Sequence, residues 1–216
     1  MHLNPVATEL TTAATDGLLG ILCFVLVWRL IRLRVNAAWK RRLWCGVVGL
    51  LGLASVLGAV AHGLDLSVRV RGILWWPLYW SLGLTVALFF VGGIYDWRGE
   101  RAARTVLPWA VAIGTGFFAL TQILGGAFLI FVVYEGVAMV AALAIYIVLG
   151  TSGRLPGAGL IALGIALSIA AAAVQASPLR VDLIVPLDHN GLFHLVQIVA
   201  TLTLARGLST GLHARR

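Results

Sequence analysis

Apolar residues run along this chain in blocks of about 20, long enough to cross roughly 30 Å of hydrocarbon as α-helix. Short polar or basic stretches separate them. Seven such blocks predict spans near 14–34, 44–63, 73–95, 106–124, 127–149, 157–176 and 187–208. Gly125-Gly126 predicts the tightest connection, a sharp turn between antiparallel helices. Pro77, Pro108, Pro156 and Pro186 fall within the first few residues of a span or just before it, where a missing N–H costs least. No sizeable stretch is left over for a soluble domain. Residues 1–216 therefore read as one all-α domain, an integral membrane bundle of seven transmembrane helices.

Composition agrees. The chain is 61% hydrophobic and 11% charged, with a mean hydropathy of +0.99, whereas a soluble domain is about half apolar and a quarter charged. The first 16 residues carry Glu9 and Asp16 and no Lys or Arg, unlike the basic start of a signal peptide, so the first span is expected to be retained. Net charge is +8. Sorted by alternate loops, 13 of the 16 basic residues, among them Lys40, Arg215 and Arg216, share the side of the C-terminus, against Arg69, Arg71 and Arg180 on the other. That bias predicts an extracytoplasmic N-terminus and a cytoplasmic C-terminus. It also assigns the charge to membrane orientation rather than to nucleic acid. The expected location is the cell membrane, as a multi-pass protein of a bacterial inner membrane. Cys23 and Cys45 imply neither a disulfide framework nor a structural zinc site. The single lysine, Lys40, is expected in a cytoplasmic loop, which leaves no span with an amine for a retinal Schiff base. Glycine and alanine stretches predict tight helix packing, and the lack of an internal repeat does not support an inverted-repeat transporter.

The polar residues near the spans segregate by side. Asp16 is expected to open the first span, His62 to close the second, Gln122 to end the fourth and Gln175 the sixth. Glu135 lies about two turns into the fifth, and Asp188, His189, Asn190 and His194 begin the seventh. All fall in the expected outer half, with Asp65 just beyond His62, while the inner half is expected to hold few buried ionisable groups. Intramembrane ionisable residues are costly and generally face the bundle interior with a partner. Imidazole and carboxylate from separate helices are the ligands of a catalytic zinc, with a fourth position for water. His62, His194 and His189 are the candidate metal ligands. Glu135, Asp16 and Ser55 form the candidate catalytic set. Gln197, Asn190, Asp188 and Gln122 are candidates to support the ligands or orient a substrate carbonyl. His189 and His194 are five apart, roughly 140° on a regular helix, so His62 and His194 are the stronger pair.

His62 in "AVAHGL" and His194 in "NGLFHLVQ" give the chain a resemblance to the seven-span membrane hydrolases that include alkaline ceramidases and the adiponectin and progestin receptors. It also resembles uncharacterised bacterial membrane families near that group. The resemblance implies zinc held near one membrane face by a His ending the second span and two His opening the seventh. The chain departs from that pattern in three places. Asn190 stands four before His194, Gly58 stands where the superfamily has Ser, and the third span has no early Asp.

The expected function is a zinc-dependent membrane hydrolase acting on a lipid amide or ester delivered from the bilayer. Two alternatives remain. One is haem ligation by the same His62 and His194 in an electron-transfer protein. The other is a non-enzymatic subunit, receptor or carrier with a polar pocket. The oligomeric state is left open.

Overall fold

The computed structural model describes residues 2–124, 128–182 and 184–213. Its seven helices are α1 (Ala7–Arg32), α2 (Ala38–Gly63), α3 (Val68–Arg98), α4 (Glu100–Ile123), α5 (Phe128–Thr151), α6 (Ala158–Gln175) and α7 (His189–His213). All seven are long and apolar enough to cross a membrane. The Gly125-Gly126 turn, Arg215 and Arg216 lie outside the described residues.

Most helices outrun the apolar blocks that predict them. α1 begins seven residues earlier than expected, α3 five and α4 six. Hydropathy reports only the stretch inside hydrocarbon, while Glu, Arg and Lys are good helix formers that carry a helix on past it. Two expectations change accordingly. Pro77 and Pro108 sit well inside α3 and α4 rather than at their starts. Many basic residues counted as loop residues, such as Arg29, Arg32, Arg98, Arg101, Arg104 and Arg206, lie within helix ends.

α1 packs on α2 and α7, α2 on α3, α3 on α5, α5 on α6, and α6 on α7. These six close a ring in which α5 stands opposite α1. α4 lies outside the ring against α3. Its closest approach is glycine to glycine: a methyl group on Gly83 would lie 2.6 Å from the Gly114 carbonyl oxygen. The missing side chains let the two backbones touch.

The helix ends at the α1 N-terminal face are tied by short irregular pieces that periodicity does not reveal. Residues 2–4 run beside the end of α2, with Asn4 N–H donating to Gly63 O (3.0 Å) and Asp65 N–H to His2 O (2.9 Å). A two-residue ribbon, β1 (Val181–Asp182) with β2 (Pro186–Leu187), bridges α6 and α7. The Thr11 hydroxyl of α1 donates to Pro186 O (2.7 Å) and fastens that ribbon to the bundle.

At the opposite face the expectations for the inner half fail. Lys40 is not in a loop. It occupies the first turn of α2, is 0% exposed, and its ammonium lies 2.6 Å from Asp96 of α3. The Tyr146 hydroxyl of α5 donates to the other Asp96 oxygen (3.0 Å). A fully buried ion pair thus joins three helices where few buried charges were expected.

Candidate functional site

A cavity of about 420 Å³ opens inside the six-helix ring. Its wall near the α1 N-terminal face is polar, with Asp16, His62, Gln175, His189, Asn190, His194 and Gln197. Farther along, Val47, Val48, Leu51, Leu82, Val86, Phe89 and Met139 make it apolar. Val47 and His62 are fifteen residues apart on α2, so at 1.5 Å per residue the cavity runs about 22 Å along the bundle.

His62 is set by three neighbours. Asn4 Nδ2 donates to its carbonyl oxygen (3.0 Å) and fixes the end of α2. Trp75 meets its ring edge-on, with centroids 5.8 Å apart. Its Nδ1 lies 2.7 Å from Glu9 Oε2. A carboxylate can only accept, so Nδ1 carries the proton and Nε2 is left as the basic nitrogen. This carboxylate–imidazole arrangement orients general bases elsewhere. The pair keeps contact with solvent, at 18% side-chain exposure for His62 and 32% for Glu9. Glu9 is the partner of His62 that sequence reasoning missed. It lies before the first apolar block, and its register against His62 depends on α1 starting at Ala7.

His194 and Asp16 form a second, more deeply buried pair, with Nε2 3.2 Å from Oδ1. The Thr15 hydroxyl lies within hydrogen-bond distance of Thr12 O (2.9 Å), Thr11 O (3.1 Å) and His194 Nδ1 (3.2 Å). Asp16 does not open α1, as expected, but sits in its third turn, 5% exposed. It fits there because Gly58 has no side chain: a methyl group at that position would overlap the Asp16 carboxyl.

The remaining expected residues divide. Ser55 and Glu135 line the cavity on α2 and α5. Asn190 accepts from Gln175 Nε2 (3.3 Å), and Gln197 Nε2 donates to the Ser168 hydroxyl (3.2 Å). Both amides hold α6 against α7 at the cavity wall. Despite the helical offset between them, His189 and His194 both reach the cavity. Gln122 does not reach it. It is exposed, on the helix outside the ring, and among the described residues its amide donates to neighbouring Thr121 (3.1 Å).

Asp188 serves as the cap of α7 rather than as part of the cavity wall. Its Oδ1 accepts from Asn190 N–H (3.0 Å), Gly191 N–H (2.9 Å) and the Thr12 hydroxyl (3.0 Å). Burial raises this carboxyl, but the Gly191 N–H, the Thr12 hydroxyl, nearby His189 and the Asn190 N–H together hold it below the ordinary carboxylate range. The cap's contribution is thus complete above the unfolded carboxylate pKa of about 3.9 and is lost as pH falls through the lower folded value. Thermal unfolding in detergent, followed by circular dichroism, should show a midpoint that drops in acid. In Asp188→Asn, which keeps an acceptor oxygen for the cap but cannot titrate, that acid drop should be smaller, whereas Asp188→Ala should be weaker at neutral pH by about 1 kcal/mol.

Among the described residues no group of three or more His, Cys, Asp or Glu side chains is placed to hold a metal ion. The candidate ligands are instead engaged with neighbours of their own: His62 with Glu9, and His194 with Asp16 and Thr15. This donor set does not fit the zinc shell expected of His62, His189 and His194.

No curated protein and no solved structure matches the chain. Residues 11–213 match a family described as a family of unknown function (DUF6962). Since that match leaves out only the two ends, the protein belongs to the family of unknown function DUF6962.

Proposed function

We propose that this protein is an integral membrane hydrolase that takes an amphiphilic lipid into the six-helix cavity and cleaves an ester or amide bond beside its headgroup. The observation that carries the reading is the gradient along one cavity. An oriented, solvent-touching imidazole stands at the polar end, and about 22 Å of helix separates it from an apolar end walled by Val47, Phe89 and Met139. Basic residues concentrate toward the Lys40 face, and by the positive-inside bias this supports a His62 face directed outside the cell.

In this reading His62 Nε2 takes a proton from a water molecule as its oxygen attacks the carbonyl carbon. Glu9 steadies the imidazolium that forms. Collapse of the tetrahedral species breaks the bond to the alcohol or amine, and the leaving group takes the proton back from His62. The Asp16–His194 pair and the Asn190 and Gln197 amides offer hydrogen bonds to the headgroup. Each step uses the chain's own residues.

The test is turnover. Protein reconstituted in phosphatidylcholine nanodiscs is incubated with long-chain esters and amides, and released acid is measured by mass spectrometry. Hydrolysis that survives a strong chelator and depends on His62 is expected. No turnover of any member of either bond class would overturn the proposal.

A further inference from the structure

Two ion pairs, Lys40–Asp96 and Glu100–Arg104, and two imidazole–carboxylate pairs, Glu9–His62 and Asp16–His194, are found among the described residues. Glu135 belongs to none of them. It also takes part in no side-chain hydrogen bond among the described residues, yet its carboxyl lines the cavity. It projects from α5, which stands across the ring from α1 and Asp16. A half-buried carboxyl that faces the cavity without a partner among the described residues is suited to a cationic complement. Among the described residues no Lys or Arg lines the cavity to supply one. Aromatic rings do line it: Trp75 and Tyr79, with centroids 5.5 Å apart, together with Phe131 and Phe193. Aromatic faces attract cations.

We infer that the cavity selects an amphiphile bearing an ammonium group, with Glu135 as its counter-ion and specificity-determining residue. This rests on the proposed lipid site and names the headgroup it takes. Anionic headgroups are disfavoured because they would meet the unpaired Glu135 carboxyl and no Lys or Arg among the described lining residues. Glu135 thereby receives a recognition role, distinct from the base assigned to His62.

The experiment measures binding of dodecylammonium, dodecanol and dodecanoate to the full-length protein in phosphatidylcholine nanodiscs, corrected against empty nanodiscs. Dodecylammonium should bind saturably, one per protein, and more tightly than dodecanoate. Glu135→Gln should weaken dodecylammonium binding tenfold or more and leave dodecanol binding unchanged. Glu135→Asp, which keeps the charge, should retain part of the preference. Dodecanoate binding as tightly as dodecylammonium would overturn the inference, as would Glu135→Gln binding dodecylammonium like the parent. The readout requires no turnover. Ammonium binding without hydrolysis would sink only the enzymatic reading, and hydrolysis without ammonium preference would sink only this one.

Discussion

Turnover of a long-chain ester or amide by the His62→Ala variant is expected to fall about 10²–10⁴-fold, the usual worth of a positioned general base. The loss should appear in kcat, because in the proposed mechanism the imidazole is engaged most strongly as water loses its proton, while the apolar cavity wall proposed to hold the tail is untouched. Glu9→Gln should lower kcat less. The amide still fills the space beside Nδ1 but no longer stabilises the imidazolium with a negative charge, 2.7 Å away in the parent. Steady-state kinetics of both variants check this. Equal kcat for the parent and His62→Ala would remove His62 from the chemistry.

The second large effect lies at the far end of the bundle and concerns stability. Lys40 and Asp96 have side-chain exposures of 1% and 0%. Removing one partner of such a pair leaves a buried charge uncompensated and typically costs about 3–5 kcal/mol. Lys40→Met and Asp96→Asn should each lose that much in equilibrium unfolding by SDS titration in mixed micelles. The double variant should lose clearly less than the two together. It buries no lone charge, and the amide that replaces the Asp96 carboxylate keeps an oxygen acceptor for the Tyr146 hydroxyl. Additive losses would mean that the two charges do not act as a pair.

The span pattern was legible because twenty-residue apolar blocks leave the chain few other folds. The ends were not, since the charged turn from Glu100 to Arg104 reads as a loop by hydropathy and yet is helical. Within the site, His62, His194, Asp16, Ser55 and Glu135 could be picked out as polar groups in apolar surroundings, and all five line one cavity. Their partners could not. Glu9 meets His62 across 53 positions of sequence, and Lys40 meets Asp96 across 56. Such pairings depend on helix order and rotation, which periodicity does not encode. Gln122 shows the converse: by depth alone it belongs with the others, but α4 stands outside the ring.

Photo-labelling tests most directly whether an amphiphile lies in this cavity with its head toward His62. A long-chain ammonium lipid carrying a diazirine at its tail end is irradiated with the protein in nanodiscs, and the labelled residues are mapped by mass spectrometry. Labels on Val47, Val48, Phe89 or Met139 are predicted, competed away by unlabelled lipid. Labels confined to outward-facing positions such as Trp109, Ile113 and Val137, which are 71%, 61% and 69% exposed, would contradict it.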